Sequence, residues 1–396
     1  MPRSSRTTFS RPALIETANA LDQFCRRMAD EEFVAVDTEF IRERTYWPEL
    51  CVAQIAGARE AAVIDVQSED ISLDPLERLL ANQSVLKVFH AGRQDIEIFL
   101  HRFGIVPQPI FDTQIAAMVA GFGDQVGYEA LVAALTGGTI DKAHRFTDWS
   151  LRPLTPAQIA YAAADVTHLH EVYQKLRARL AEDGREPWVA EEMAMLADPA
   201  TYIIDPETIW TRLRLRTNNR RLLGVLRAVA AWREREAQRI NVPRQRLVKD
   251  EALAEIAATV PDTVDALSRV RGVSRGFAES RTGEALLEAI AQARGEPEAT
   301  LPPAPPTRGT VRPSAALVSL LKVLLTAKAE QNHVAARLVA NSDDIDRLAL
   351  EDSPEIPALH GWRREVFGAD ALALRAGLIA LAADGREVKI VSIARS

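Results

Sequence analysis

Four short apolar segments in the N-terminal part of the chain restrict its fold more strongly than any other feature of the sequence. They cover residues 33–37, 50–57, 61–66 and 85–92, are rich in valine, isoleucine and alanine, and are separated by turn residues. Their length and composition are typical of β-strands. Because they are mostly apolar on both faces, they indicate a sheet that helices cover on each side. This part of the sequence therefore predicts an α/β domain.

A long helical pattern follows the predicted strands, and helical patterns then continue to the end of the chain. Thr155 can cap a helix that has Pro156 in its first turn and a glycine stop at Gly184. After Asp205 the strand signals disappear and short amphipathic patterns remain. With 396 residues, the chain is long enough for about two or three domains. We expect an α/β domain over 1–205, followed by two small all-α domains over 206–294 and 314–396.

A proline-rich stretch separates the two small helical domains. Residues 295–313 contain six prolines between Pro297 and Pro313. Proline lacks the N–H that a helix interior needs, so this stretch cannot form one continuous helix. We expect an extended, semi-rigid linker over these residues.

Composition restricts where in the cell the chain is expected and which kinds of partner it can bind. Cys25 and Cys51 are too few for a disulfide framework and lack the spacing of a zinc site, which favours the reducing cytoplasm. No apolar run reaches the roughly 18 residues of a membrane span, so we expect no membrane contact. The arginine- and serine-rich N-terminus would also suit an organelle transit peptide. The net charge of −7 argues, at first, against a polyanionic partner such as nucleic acid.

Four carboxylates and one tyrosine form the strongest candidate for a functional site. Asp37 and Glu39 lie two residues apart on a predicted strand, so both side chains point to the same face. Asp95 begins the helix after the fourth strand, near the edge where α/β sheets bind ligands. Tyr161 and Asp165 are four residues apart on the long helix and share a face.

Convergence of these carboxylates would be unfavourable without a counter-charge, because like charges repel and raise one another's pKa values. Mg²⁺ and Mn²⁺ prefer oxygen ligands and commonly share them with phosphates. Two such ions about 4 Å apart can stabilise both the attacking and the leaving oxygen of a displacement at phosphorus. Taken singly, Asp37 and Glu39 would equally suit a solvated strand end, and Asp95 the first turn of a helix. Only the joint order and spacing favour a site for two divalent metal ions.

Several segments resemble the motifs of the ribonuclease D family, which belongs to the DEDD exonuclease superfamily. They are VDTEF (36–40), HAGRQDIEIF (90–99), FDTQIAA (111–117) and DWSLRPLTPAQIAYAAADV (148–166). The spacing of Tyr161 and Asp165 is similar to that of the DEDDy subgroup. The resemblance implies an RNase H-like α/β fold, with a mixed sheet flanked by helices. The helical region after residue 205 resembles the HRDC domains of the same family, more clearly in its first copy than in its second.

The resemblance implies a role for each of the five residues. Asp37, Glu39 and Asp165 would be ligands of one divalent ion, and Asp37 would also reach a second ion that Asp95 holds through water. Tyr161 would position the water that attacks the terminal phosphodiester. The ordinary tyrosine pKa of about 10 is high for a general base at neutral pH, so the spacing alone does not establish proton abstraction.

Aromatic and polar side chains near these motifs are candidates for contacts to the terminal nucleotide. Rings could stack on bases, as they do in proteins that bind single strands. The alternative for the aromatic residues is an ordinary place in the core, and for the histidine a place behind the metal ligands. The candidates are Thr38, Phe40, Tyr46, Trp47, Gln54 and His90.

Residues 210–250 form a strongly basic segment. Eleven arginines and one lysine face three acidic residues there, a net charge of +9, whereas residues 314–396 carry −1. Guanidinium groups suit phosphates because their planar fork binds two oxygens at once. The alternative is an amphipathic helix with a solvated basic face. The arginines that we expect to bind RNA are Arg212, Arg214, Arg216, Arg220 and Arg221.

The resemblance implies a metal-dependent 3′→5′ exoribonuclease that acts as a monomer. It would remove nucleotides from the 3′ end of structured RNA, in particular tRNA precursors, and release nucleoside 5′-monophosphates. A DNA 3′→5′ exonuclease is one alternative, because the carboxylate chemistry does not distinguish the two sugars. A non-catalytic RNA-binding scaffold is another. The net charge is no longer an objection, since it averages a basic segment with an acidic metal site.

Overall fold

The computed structural model divides the chain into two compact units. The first unit contains the chain up to Phe40, Leu50–Thr201 and the C-terminal region from residue 313 onwards. The second contains Ile41–Glu49 and the chain from Tyr202 to residue 303. The structure describes residues 12–141, 147–213, 215, 217–303 and 313–393.

This division differs from the linear one that the sequence suggested. Ile41–Glu49 lies inside the expected α/β domain but groups with the first helical domain. The C-terminal helical domain, in turn, groups with the α/β domain. Local sequence patterns could not show either result, because both depend on contacts between residues that are far apart in the chain.

A six-stranded mixed sheet forms the centre of the first unit. Its strands are β1 (Ala13–Ile15), β2 (Phe33–Ile41), β3 (Glu49–Ala56), β4 (Ala61–Asp65), β5 (Leu86–Phe89) and β6 (Ile110–Asp112). They follow the order β1-β4-β3-β2-β5-β6. β1 is parallel to β4, β5 is parallel to both β2 and β6, and β3 is antiparallel to β4. The mixed sheet expected from the sequence is thereby confirmed.

The four strands expected from the sequence are β2 to β5. β4 is buried along its whole length and β3 along all but its first residue, as the apolar pattern indicated. The edge strands β1 and β6 were not expected. Each has three residues, which is too short to produce a recognisable alternation.

Helices flank this sheet in the described residues. They are α1 (Ala18–Met28), α2 (Asp74–Ala81), α3 (Arg93–Phe103), α4 (Thr113–Val119), α5 (Tyr128–Thr136), α6 (Pro156–Glu182) and α7 (Glu186–Ala197). α6 is the long helix that the sequence predicted. The hydroxyl of Thr155 accepts the N–H of Gln158, and the Gln158 side chain accepts the N–H of Thr155, which together form a capping box.

The second unit contains the helices expected for the first small domain. They are α8 (Arg220–Arg239), α9 (Arg244–Leu247), α10 (Asp250–Thr259), α11 (Val264–Ser268), α12 (Arg275–Ala278) and α13 (Arg281–Gly295). Apolar residues of α8, α10 and α13 form its buried core, among them Leu226, Leu253 and Leu286. None of the helices in the described parts of the chain is both long and apolar enough to cross a bilayer.

The first part of the expected linker is packed rather than extended. Leu301 is buried, and a Cβ placed at Gly224 of α8 would lie 2.7 Å from its Cδ2 atom. The guanidinium of Arg220 donates hydrogen bonds to the carbonyl oxygens of Glu298, Leu301 and Pro302. Residues 296–302 therefore belong to the second unit, while the linker residues 304–312 lie outside the described residues.

The C-terminal domain of the first unit is helical but ends in a β-hairpin. Its helices are α14 (Ala315–Gln331), α15 (Ala336–Val339), α16 (Ser342–Leu350), α17 (Gly361–Arg363) and α18 (Ala369–Arg375). β7 (Ile379–Asp384) pairs antiparallel with β8 (Glu387–Ser392). We expected helices alone here, so the hairpin is a correction. Asp384-Gly385 is the turn signal that could have revealed it, because Gly385 adopts a φ of +63°.

A buried ion pair joins this C-terminal domain to α7. Arg363 lies 2.5 Å from the carboxylate of Glu192, and both side chains are almost inaccessible to solvent. The indole N–H of Trp362 donates to the same carboxylate at 3.2 Å, and its ring stacks on Trp188 at 4.7 Å. Arg185 adds hydrogen bonds to the carbonyl oxygens of residues 332 and 333.

Replacement of Glu192 by Ala should destabilise the protein strongly. The guanidinium of Arg363 would stay buried without a counter-charge, which costs about 3–5 kcal/mol. Urea unfolding of the full chain, followed by tryptophan fluorescence, measures the loss. Glu182→Ala is the control, because Glu182 is exposed at the end of the preceding helix α6 and its loss should cost no more than about 0.5 kcal/mol. Equal stability of the two variants would contradict the role of the buried pair.

Candidate active site

Three carboxylates meet on one side of β2. Asp37 and Glu39 project from β2 and Asp165 from α6, and one oxygen of each lies within 4.8 Å of the other two. The alternation of side chains along a strand places Asp37 and Glu39 on one face. The structure therefore brings together three of the side chains that the sequence selected.

Asp95, the fourth carboxylate, lies in the first turn of α3 and is buried. It does not belong to the group of three oxygens within 4.8 Å. Instead, the hydroxyl of Thr38 in β2 donates a hydrogen bond to it. Thr38 thus connects the strand that carries Asp37 to the helix that carries Asp95.

A buried aspartate fixes the turn in front of α3. Asp112, which is 1% exposed, ends β6 and accepts hydrogen bonds from the N–H groups of Ala91 and Gly92. The turn is tight, because Ala91 has a φ of +55° and a Cβ at Gly92 would lie 2.4 Å from Phe89 Cβ. Asp112 also accepts two N–H groups at the start of α4. It therefore sets the position from which α3 and Asp95 begin.

The loop before α6 is tied to the sheet and supports Tyr161. The Trp149 ring is 2% exposed and its centre lies 6.1 Å from that of Tyr161. Arg152, in the same loop, donates to Asp65 at 2.7 Å and to the carbonyl oxygen of Cys51 at 2.9 Å. These two bonds fix the loop to β4 and β3, and with it the start of α6.

The electrostatics of the carboxylates reflect burial and mutual repulsion. Burial, and then the charges of Asp95, Asp165 and Glu39, raise the pKa of Asp37 well above its ordinary value. Burial also raises the pKa of Asp95 to about 6, although the hydrogen bond from Thr38 acts in the opposite direction. Without a cation, the cluster therefore opposes its own full ionisation.

Tyr161 stays protonated in this environment. Burial and the charges of Asp165, Glu39 and Asp37 raise the pKa of its phenol above the ordinary value. A hydrogen bond to Asp165 adds to this effect. A neutral phenol can donate a hydrogen bond to a water or a phosphate oxygen, which favours orientation over proton abstraction.

Asp37, Glu39 and Asp165 line a cleft of about 590 Å³ in the first unit, together with Tyr161, whereas Asp95 is not among its lining residues. A volume of this size is typical of small-ligand sites and suits a nucleotide. The residues that line it are Asp37, Thr38, Glu39, Phe40, His90, Ala91, Gln114, Gly127, Tyr128, Glu129, Ala130, Ile140, Tyr161, Asp165 and Leu169.

Thr38, Phe40 and His90, three of the expected substrate contacts, line this cleft. Burial lowers the pKa of His90 to about 4, so the ring is neutral. Its Nδ1 atom lies 3.0 Å from the hydroxyl of Thr113, while its buried Nε2 atom has no partner among the described residues. Of these three side chains, Phe40 offers a ring for stacking and His90 a neutral imidazole.

The other three candidates do not line the cleft. Gln54 is 0% exposed within β3, because both faces of this strand are covered. Tyr46 is buried and belongs to the second unit, as does Trp47, whose ring packs edge-on against it at 4.8 Å. Their aromatic rings serve packing in that unit, which was the alternative for Trp47.

Two of the five arginines that were expected to bind RNA are engaged in internal contacts. Arg220 and Arg221 donate to carbonyl oxygens of residues 296–302. Arg212 is exposed, while Arg214 and Arg216 lie outside the described residues. Five of the six remaining arginines form the ion pairs Arg227–Glu296, Arg233–Asp250, Arg235–Glu207, Arg239–Glu236 and Arg244–Glu234, and the sixth, Arg246, is exposed. The local count of +9 overstated the available charge, because Glu207 and Glu296 lie outside the counted segment.

Two residues that support the site were not among the candidates chosen from the sequence. The hydroxyl of Tyr128 donates to the backbone oxygen of Asp165, and its ring centre lies 4.9 Å from that of His90. Asp112 supports α3 from a strand of three residues. A motif signal existed only for Asp112, in FDTQIAA, and that signal did not indicate what the side chain does.

The donor set fits a hard divalent cation. Its members are carboxylates, which are the ligands that Mg²⁺ and Mn²⁺ prefer. Three of them meet within 4.8 Å, and their repulsion is relieved by positive charge.

Replacement of Asp95 by Asn should change the pH dependence of stability in the presence of EDTA. The folded-state pKa of about 6 exceeds the ordinary value of 3.8. Asp95 therefore stabilises the fold below about pH 4, and this stability, on the order of 3 kcal/mol, is lost as the pH rises through about 6. Urea unfolding between pH 4 and pH 8 should show a smaller loss in Asp95→Asn than in the wild type, and the loss that remains in the variant comes from Asp37, whose pKa is also raised. Glu97→Gln, on the same helix, should behave like the wild type, and parallel curves for all three proteins would contradict the assignment.

Comparisons with known proteins agree with this geometry. Residues 12–181 match a family described as 3′-5′ exonuclease, and residues 223–290 match the HRDC domain. Ribonuclease D of Granulibacter bethesdensis is 62% identical over 99% of this chain and 100% of its own. Ribonuclease D of Acidiphilium cryptum is 62% identical over 98% of each chain.

A solved structure extends the similarity to the whole fold. The crystal structure of Escherichia coli RNase D, an exoribonuclease involved in structured RNA processing, covers 93% of this chain and 99% of its own. The TM-score is 0.81 at 29% sequence identity. Exonucleases of this fold use divalent metal ions, and the carboxylate cluster lies within the region that matches the exonuclease family. The chain belongs to the ribonuclease D family and is a 3′→5′ exoribonuclease.

Proposed function

We propose that the chain trims the 3′ ends of structured RNA, tRNA precursors in particular, with two divalent ions, Mg²⁺ or Mn²⁺, at the carboxylate cluster. The observation that carries the proposal is the convergence of Asp37, Glu39 and Asp165 within 4.8 Å beside Tyr161 in the same cleft. Asp95 accepts a hydrogen bond from Thr38, the residue between Asp37 and Glu39 in β2. Asp37, Glu39 and Asp165 would suit one ion, and Asp37 and Asp95 would suit a second.

In this mechanism, Asp37, Glu39 and Asp165 would hold one ion, and Asp37 and, through water, Asp95 would hold the second. Bound cations supply positive charge that stabilises the attacking and leaving oxygens of the displacement. Tyr161 donates a hydrogen bond that orients the attacking water. The water oxygen forms a bond to phosphorus as the bond from phosphorus to the 3′ oxygen breaks. The products are a nucleoside 5′-monophosphate and an RNA shortened by one residue with a free 3′ hydroxyl.

The terminal nucleotide would lie against Phe40 and His90. Phe40 follows Glu39 in β2 and lines the cleft, so its ring can stack on the last base. His90 lines the cleft as well, and the accessible part of its ring can contact the terminal sugar or base. Thr38 would act through Asp95, since its hydroxyl is already engaged.

The preference for structured RNA rests on the family. The RNase D of Escherichia coli is described as an exoribonuclease involved in structured RNA processing, and tRNA precursors are such RNAs. Location in the cytoplasm is consistent with Cys25 and Cys51, which are buried and do not form a disulfide with each other. We propose a monomer, as the resemblance to the family implies.

Replacement of Asp37 or Asp165 by Asn should abolish turnover and leave RNA binding largely intact. Each change removes an ion ligand but keeps the size of the side chain. Purified protein is incubated with a 3′-tailed tRNA and a matched single-stranded DNA in Mg²⁺, Mn²⁺ or EDTA, and products are identified by chromatography. The wild type should release 5′-mononucleotides stepwise from the RNA, and EDTA should stop the release.

Glu97→Gln is the matched control for this assay, since it neutralises an acid on α3 outside the cluster. Circular dichroism verifies that each variant is folded. Faster degradation of the DNA than of the RNA would favour a DNA exonuclease. Binding of RNA without cleavage under every metal condition would leave only a binding scaffold and would contradict the proposal.

Exposed cations of the second unit should supply salt-dependent affinity for RNA. Arg212, Arg246 and Lys249 are exposed and have no ion-pair partner among the described residues. Replacement of all three by Gln should weaken binding and reduce the slope of log affinity against log salt by up to about 2, since each phosphate contact in a single strand contributes about 0.7. Filter binding in EDTA between 50 mM and 300 mM salt, values on the order of physiological ionic strength, measures the slope. Arg235→Gln is the control, because Arg235 is paired with Glu207, and an unchanged slope in the triple variant would contradict the role of these cations.

A further inference from the structure

The connection between β2 and β3 is anchored inside the second unit. Tyr46, in this connection, is 7% exposed, and its hydroxyl donates a hydrogen bond to the carboxylate of Glu234 in α8. The same hydroxyl accepts from Gln238 at 3.1 Å and from Arg244 at 3.3 Å. Arg244 also binds Glu234 at 2.9 Å, and its guanidinium lies 5.4 Å from the centre of the Tyr46 ring. We call these four residues the Tyr46 clamp.

The next residue adds a second attachment to the same unit. The backbone N–H of Trp47 donates to the side-chain oxygen of Asn241 at 3.0 Å. Asn241 follows the end of α8 with a φ of +52°, a left-handed conformation that asparagine tolerates better than most residues. The connection is therefore held by both a side chain and a backbone group.

The anchored connection continues directly from the strand that carries the catalytic carboxylates. β2 ends at Ile41 and β3 begins at Glu49, so both ends of the connection are strands of the central sheet. The boundary between the two compact units falls after Phe40, one residue beyond Glu39. Four residues of backbone, 42–45, separate the end of β2 from Tyr46.

The chemistry of the clamp favours a positioning role over simple packing. Glu234 is 0% exposed, and removing a charge from water is costly unless several partners compensate for it. An apolar contact would bury the connection without this cost. A carboxylate with a phenol and a guanidinium as partners instead allows few geometries, because each hydrogen bond depends on the others.

We propose that Tyr46 is a positioning residue of the exonuclease reaction, which acts through Glu234 and Arg244 on the end of β2 that carries Glu39 and Phe40. The inference rests on the proposed function and deepens it. The first helical domain, in this account, contributes to the rate of the chemical step as well as to RNA affinity.

The test compares two substrates that differ in how much of the protein they can occupy. One is a 5′-phosphorylated ribodinucleotide with a single scissile bond, and the other is a 3′-tailed tRNA. Tyr46→Phe removes the hydroxyl and keeps the ring, and we expect it to lower kcat about tenfold on both substrates, since a displacement on the order of 1 Å can cost as much as 10²-fold. KM for each substrate, and the Kd for the tRNA in EDTA, should stay within about twofold of the wild type.

Two further variants make the test specific. Glu43→Gln changes an exposed residue of the same connection and should leave kcat unchanged. Glu234→Gln should lower kcat as Tyr46→Phe does, and the double variant should be no slower than either single variant, because the two side chains act as one unit. Thermal unfolding verifies that every variant is folded at the assay temperature.

The possible results separate the inference from the proposed function. An unchanged kcat in Tyr46→Phe would overturn the inference, and so would a lower melting temperature with an unchanged kcat, which indicates a structural role alone. A higher KM for the tRNA with normal dinucleotide turnover would also overturn it, by assigning the clamp to RNA binding. If the wild type itself released no mononucleotides from RNA, the proposed function would fail instead.

Discussion

The rest of this structure depends on one interaction, the repulsion between carboxylates. These carboxylates share a small, partly buried volume. Asp37, Glu39 and Asp165 lie within 4.8 Å of one another, and burial and the neighbouring charges raise the pKa of Asp37. Such a cluster lowers the stability of the protein that carries it and becomes favourable only with a cation. The remainder of the α/β domain can be understood as the framework that keeps these groups together.

That framework consists of bonds from several elements that end beside the cluster. Thr38 holds Asp95, and Asp112 holds the turn from which α3 begins. Arg152 ties the loop before α6 to the sheet. The capping box then defines the first turn of α6, so that Tyr161 and Asp165 follow at fixed positions on the helix. Each support uses a polar group in a buried place, which gives direction as well as stability.

The features that were predictable from sequence are those that depend on local periodicity. The alternation of β2 placed Asp37 and Glu39 on one face, and the helical period placed Tyr161 one turn from Asp165. Features that depend on distant residues were not predictable in this way. The partner of Tyr46 lies 188 residues away in the chain. The excess of arginines suggested an open basic surface, but two of their carboxylate partners, Glu207 and Glu296, lie outside the segment that was counted.

The most direct test of the central claim is a calorimetric titration of the metal-free protein with Mn²⁺. The wild type should bind two ions, and Asp37→Asn should lose most of the affinity for both, because Asp37 would be a ligand of both ions. Asp37→Asn should at the same time be more stable than the wild type in EDTA, since one of the repelling charges is removed. Identical Mn²⁺ binding by the two proteins would contradict the account.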